Sequence, residues 1–383
     1  MQNIECAAQY KVQDKLTSRI VSIDALRGII AVIMALDHIR STIHSFPYSP
    51  TDLTHTTFLI FMTRWITHFC APVFIFLAGV SIFLSEQRGR TKKEMVKYLI
   101  SRGIILILLD VVFVSRFITS SLTDIDLGVL WAIGVSMIIF SGLIWLSKKY
   151  IFVFGVIIVV AHNLLNGINI SRSSNFHFIW SIFHSPDIFN LPYGIDIQVT
   201  YCLIPWVGVM ALGYVFGQLM VLEQTKRSKI LIYIGLGITC SFFVLRGLNL
   251  YGDPTPWTLQ KNSLFTILSF INCEKYPASL LYLFMTLGPS ILILGLLDKK
   301  LPRVLQPVLV FGREPLRFYL LHMLMIGVFI GLNIMIVLIL NGGHAPKSDF
   351  IHHGLMGVYL GWIFIVVSLY PLFKRGFKKK EKA

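Results

Sequence analysis

Asp24, Arg27, Asp37 and His38 stand in one otherwise apolar run, VSIDALRGIIAVIMALDHIR. At 100° per residue, the eleven-residue step from Arg27 to His38 returns to within about 20° of the same helix face, roughly 16 Å further along the axis. Asp24, one turn before Arg27, shares that face. Ionisable groups inside a membrane span are expensive and mark function by default. An imidazole moves protons at neutral pH, and Asp37 or an acid from another helix could fix its tautomer. Asp37 itself points about 100° away from His38. Asp24 and Arg27 at i, i+3 suit an intrahelical ion pair, and a guanidinium equally suits bidentate binding of phosphate. A phosphate near Arg27 and a reactive group near His38 describe a ligand about as long as a pantetheine arm.

Further candidates lie on other helices. Arg64 and His68 in TRWITHFCAPVFIFLAG share a face at i, i+4, with Arg64 read as an anchor snorkelling outward and His68 as a second acid or base. Arg313 and Arg317 in FGREPLRFYLLH are also i, i+4, with His322 deeper. These three could hold the phosphates of a nucleotide carrier, although arginines there also satisfy anionic lipid headgroups. Asp110 in LILLDVVF is expected to be protonated or paired, with an arginine elsewhere as the natural partner. His162, Asn163, Arg246 and Asp253 line an outward pocket or organise the loops. Cys70 is a weaker candidate nucleophile, because a buried apolar thiol is inert.

The elements that position these groups are membrane helices. The chain is 55% hydrophobic and 14% charged, and its apolar runs repeatedly approach the ~20 residues that a hydrocarbon core demands. About ten spans are predicted, near 20–43, 58–84, 97–118, 127–147, 150–166, 199–221, 229–248, 277–298, 308–340 and 354–373. The fold class is therefore all-α, a polytopic bundle. Pro315 and its flanking arginines predict a break or a short interfacial helix within the ninth segment. Domain organisation reads as a polar N-terminal segment 1–19 without a cleavable signal, a transmembrane domain 20–373 and a basic tail 374–383.

Basic residues alternate between loops. Arg88, Arg90, Lys92, Lys93 and Lys97, then Lys148 and Lys149, then Lys226, Arg227 and Lys229, then Lys299, Lys300 and Arg303 mark one side, together with Lys11, Lys15 and the tail. The other side holds scattered cations such as Arg172, Lys261 and Lys347. The positive-inside rule then puts both termini in the cytoplasm. The net charge of +15 is dispersed over these loops, which speaks against nucleic-acid binding. Five cysteines at 6, 70, 202, 240 and 273 in no CxxC spacing speak against a disulfide framework or a metal site. Outward segments near 44–57, 167–198 and 249–276 are long and aromatic, so chemistry at the outer face is expected.

The run RIVSIDALRGIIAVIMALDHIR resembles the first helix of the heparan-alpha-glucosaminide N-acetyltransferase catalytic-domain family, closest to its bacterial branch within the transmembrane acyltransferases. RWITHFCAPVFIFLAG, HNLL, PWVGVMALGY, LRGLNLYGDPTPW, KYPASLLYLFMTLGP and FGREPLRFYLLH carry the resemblance on in order. It implies a helical acyltransferase in a bacterial inner (plasma) membrane. The donor would be cytoplasmic acyl-CoA, above all acetyl-CoA, and the acceptor a hydroxyl or amine of an extracytoplasmic glycan-like molecule, with no metal needed. Related envelope-modifying enzymes carry Arg, ten residues and His in their first helix, as Arg27 and His38 do. In the animal lysosomal branch an Asn takes the place of His38 and a His follows in the next loop; here that loop offers His44 and His55. The resemblance thus leaves His38, His44 and His68 as candidate bases, with Asp37 beside them. Asp24, Arg27, Arg313, Arg317 and His322 are the candidate donor-binding residues. Membrane lipids are expected partners, and a homodimer is compatible with the sequence. The competing class is a transporter or flippase of an envelope precursor, against which stands the lack of internal repeats.

Overall fold

The computed structural model describes residues 19–43, 48–119, 121, 123–340 and 354–381. The readings at Cys6, Lys11, Lys15, His44, Lys347 and Lys382 fall outside them. Helices dominate: α1 (Val21–Ile43), α2 (Phe58–Thr67), α3 (Cys70–Gln87), α4 (Lys92–Leu108), α5 (Ser115–Thr119), α6 (Val129–Leu143), α7 (Lys148–Ala161) and α8 (His177–Phe183) precede α9 (Leu203–Met220) and α10 (Gln224–Leu248). After them come α11 (Ser263–Ile271), α12 (Leu280–Lys299), α13 (Leu309–Gly312), α14 (Pro315–Leu340) and α15 (Leu355–Glu381). Eight of the described helical segments are long and apolar enough to cross a membrane. The protein is an all-α polytopic membrane protein. Two predicted spans fall outside that set for different reasons. The helix α6 has only 15 residues, and α1 carries Asp24, Arg27, Asp37 and Arg40 within its length.

Local sequence explains where elements start and stop. Thr91 and Glu94 form a reciprocal capping box at the start of α4. Asn262 and Ser279 cap α11 and α12 through their side-chain oxygens. As predicted, the ninth segment is broken: α13 ends at Gly312, and Pro315 opens α14, where its missing N–H costs nothing.

The chain divides into two compact units. The larger contains residues 71–256 and 273–301. Here glycines let helices approach backbone to backbone, as membrane bundles require: Gly79 and Gly213 between α3 and α9, Gly103 and Gly134 between α4 and α6, and Gly235 and Gly288 between α10 and α12. The outward segment 167–198, read as a loop, contributes two strands to a small sheet. Its strands β1 (Ile125–Leu127), β2 (Asp187–Leu191) and β3 (Ile195–Val199) lie in the order β1-β3-β2. The β1 and β3 strands run parallel, whereas β2 and β3 are antiparallel.

The second unit contains residues 24–70, 257–272 and 302–383. Most of α1 belongs to it. A Cβ on Gly28 would lie 2.0 Å from the Val308 carbonyl oxygen, and one on Gly312 would lie 1.7 Å from that of Asp24, so only glycines allow α1 to seat against this segment. On another side, Trp362 of α15 donates to the Val32 carbonyl at 2.7 Å. Phe61 of α2 packs with Phe265 and Leu268 of α11, and Trp65 donates to the Ile271 carbonyl.

Candidate functional site

All eight residues singled out for catalysis or donor binding fall in the second unit, arranged along α1 in two groups. Near the start of the helix, Asp24 is buried and lies 3.8 Å from Arg27 and 3.9 Å from Arg313. The expected intrahelical pair is present, and the close seat at Gly312 brings the second arginine to it. At these distances the carboxylate partly neutralises both guanidiniums. Arg313 also lies 3.6 Å over the Phe377 ring. Arg317 is half exposed and pairs with Glu314 at 3.0 Å.

The helix break corrects one expectation here. Arg313 follows α13 while Arg317 is in the first turn of α14, so their spacing of four is not a shared face on one helix. His322, grouped in the sequence with these arginines, is placed against His38.

Further along α1, His38 Nδ1 lies 2.7 Å from His322 Nε2, and the two rings stack with centroids 5.0 Å apart. His322 is completely buried. Its Nδ1 lies 2.8 Å from the Phe318 carbonyl oxygen, one turn back on α14. A carbonyl can only accept, so His322 Nδ1 carries a hydrogen. With both rings neutral, His322 Nε2 is then an acceptor and His38 Nδ1–H the donor to it. The basic lone pair of His38 is therefore on Nε2. Tyr319, buried one turn before His322, meets both imidazoles edge-on at 5.4 and 5.5 Å.

Asp37 has a different task from its neighbour. Its carboxylate accepts from Arg64 at 2.7 and 2.8 Å and from Arg40 at 2.9 Å. Arg64 therefore turns inward to α1 and does not snorkel outward, because a carboxylate at that depth needs a cation. His68 is buried where the chain breaks between α2 and α3, its backbone N–H donating to the Trp65 carbonyl. The Cys70 thiol is buried against the Ile30 carbonyl, the setting of a structural cysteine. His55 is exposed and pairs with Asp52, whose carboxyl it pulls down to about 2 with the help of Thr54.

Sequence reasoning missed Arg40 and Tyr319 as members of this constellation. Both were within reach of helical spacing, since Arg40 follows Asp37 by three and Tyr319 precedes His322 by three. Tertiary proximity to His38 was not.

Over residues 19–251 the chain matches the family described as heparan-alpha-glucosaminide N-acetyltransferase, catalytic. The chain belongs to this family. It is accordingly a member of a family of membrane acyltransferases, and the resemblance drawn from its motifs holds. The matched region includes Asp24, Arg27, Asp37, His38 and His68, whereas Arg313, Arg317 and His322 lie beyond its end. Comparison with curated proteins returns no match.

The candidates of the larger unit serve the backbone. Asp110 accepts the backbone N–H groups of Gly128 and Trp131 at 2.9 and 2.8 Å, capping α6 in place of the expected pairing with an arginine. His162 sits between the carbonyls of Ala278 and Val159, and Asn163 accepts from the Leu280 N–H. Asp253 gathers the N–H groups of Thr255 and Glu274 and the Ser279 hydroxyl, with Arg246 at 3.7 Å. These residues organise loops. Among the described residues no group of three or more His, Cys, Asp or Glu side chains is arranged to hold a metal.

Proposed function

We propose that the protein moves an acetyl or other acyl group from cytoplasmic acyl-CoA to a hydroxyl or amine of an extracytoplasmic, sugar-containing acceptor. The observation that carries this reading is the pairing of His38 with His322, which makes Nε2 of His38 a base within an acyltransferase family. His38 Nε2 takes the proton of the acceptor O–H or N–H as that atom attacks the thioester carbonyl. The tetrahedral adduct collapses with cleavage of the C–S bond. The leaving sulfur then takes the proton back from the imidazolium, releasing the free thiol and the acylated acceptor. No acyl-enzyme is needed.

Arg27, Arg313 and Arg317 would hold the phosphates of the donor. What supports their fit is charge: three guanidiniums lie in this unit with Asp24 close to two of them, and Arg317 is half exposed. A guanidinium offers a phosphate paired N–H donors. The eleven-residue step to His38 matches the reach between a carrier's phosphates and its thioester. His38 is the base in this scheme, His322 orients it, and Asp37 holds Arg64 and Arg40. His68 stays a second candidate for proton transfer, at the break between α2 and α3. Both termini are assigned to the cytoplasm on the loop charges, and the bacterial inner membrane on the family resemblance alone.

The test uses the purified full chain in proteoliposomes with acetyl-CoA labelled in the acetyl group. The expected result is label passing to an amino-sugar or polyol acceptor supplied on the far side, and its loss on His38→Ala. Transport of an unmodified precursor without consumption of the thioester would instead support the transporter reading.

A further inference from the structure

In the larger unit, α7 packs on α9 through Gly155 and Gly208, and α10 packs on α12 through Gly235, Gly288 and Gly295. Between these two tight pairs lies a cavity of about 480 Å³. Its walls include Phe152, Leu212, Phe216, Ile238 and Leu287, and Gln218 is the one polar side chain among the described residues that line it. Val209 and Gln218 both line the groove. Nine residues of helix between them make it about 14 Å deep, close to half of a ~30 Å hydrocarbon core. It has the depth of a single leaflet.

Charge is arranged at one end of this groove. Gln218 stands two residues before the end of α9. The chain reverses direction from helix to helix, so the start of α7, the end of α9, the start of α10 and the end of α12 fall on the same side. Lys149, Lys226, Lys229, Lys299 and Lys300 are exposed there. Nearby charge does little to cancel them: Asp298 is held by Arg227 at 2.8 Å, and Glu223 caps the first N–H groups of α10. Lys148 lies over the Phe83 ring.

We propose that this groove is a binding site for an anionic glycerophospholipid, with one acyl chain between the helix pairs and the phosphate among the lysines. Hydrocarbon lining and leaflet depth select the chain, and the lysines select the headgroup, since each cation near the surface favours an anionic lipid. The site is independent of acyl transfer and would exist in an inactive variant.

The test uses the purified full chain and phosphatidylglycerol carrying a photoactivatable diazirine in one acyl chain, with adducts mapped by mass spectrometry. Expected are adducts on α9 and α12 at groove-lining residues, with unlabelled phosphatidylglycerol competing about tenfold better than phosphatidylcholine. Leu212→Trp, or Leu287→Trp should the first variant elute as aggregate, fills the groove and lowers labelling about tenfold. Charge reversal at the exposed Lys226 and Lys229 lowers the preference for phosphatidylglycerol by at least about fivefold. Adducts spread evenly onto lipid-facing residues such as Val112 and Val367 would overturn the proposal. So would equal competition by phosphatidylcholine.

Discussion

Asp110 and His162 in the larger unit are buried against backbone, whereas the ionisable candidates along α1 in the second unit meet other side chains. Asp110 accepts from main-chain N–H groups and His162 lies between main-chain carbonyls, groups that do not change protonation, and Asp253 adds the Ser279 hydroxyl and Arg246 to its two backbone N–H donors. His38 with His322, Asp37 with Arg64 and Arg40, and Asp24 with Arg27 and Arg313 are instead pairs of side chains. A group spent on the backbone stabilises one conformation. A group spent on another titratable group has its proton placed, which is what general acid–base chemistry needs. On the proposed function, the same cost of burying polarity serves architecture in one region and reactivity in the other.

Exchanging residues between these categories is the sharpest way to break the comparison. His38→Ala should lower transfer per folded molecule by a factor of about 10²–10⁴. His162→Ala should instead cost about 1–3 kcal/mol of stability while turnover per folded molecule stays. A folded but inactive His162→Ala would erase the distinction. Asp37→Asn should cost about 3 kcal/mol, measured by thermal or denaturant unfolding in detergent, because it leaves Arg40 and Arg64 without their counter-charge.

The role of His322 is separable from packing. His322→Leu should lower turnover about ten- to a hundredfold, whereas His322→Gln, whose amide oxygen can accept from His38 Nδ1–H, should retain most of it. Nitrogen shifts of labelled histidine would then report the proton on Nδ1 of His38 in wild type and the Gln variant. Equal loss in both variants would reduce His322 to a packing residue.

The smallest effect is a pH dependence in the larger unit. Burial raises the Asp126 carboxyl to about 6, against a hydrogen bond from Thr200 that lowers it. The folded chain therefore holds a proton between about pH 4 and 6 that the unfolded chain releases, and this contribution to stability is lost as pH rises through that window. Asp126→Asn should be neutral near pH 4 and gain on wild type by about 3 kcal/mol above pH 6. His184 works in the opposite sense. Burial, and then the nearby His162 imidazole, lower it to about 4, so its contribution is lost as pH falls from about 6.5 toward 4. Wild type alone would show a blunted profile, which is why the difference between variant and wild type is the useful readout.

Much of this was legible from the chain itself. Hydropathy placed the helices, because a span must be long and apolar whatever it packs against, and the break before Pro315 followed from the ring's missing N–H. Helical spacing gave the Asp24–Arg27 pair, since both partners lie on one helix. The turn of Arg64 toward Asp37, the cap that Asp110 provides to α6 and the stacking of His322 on His38 were out of reach. Each joins segments that periodicity treats separately, and a local pattern carries no information about which distant surface a side chain will meet. Residues 27 and 38 were marked by the order of the letters alone. Which atom of His38 can act as a base was decided by a carbonyl at Phe318, 280 residues further on, because only tertiary packing could bring His322 to it.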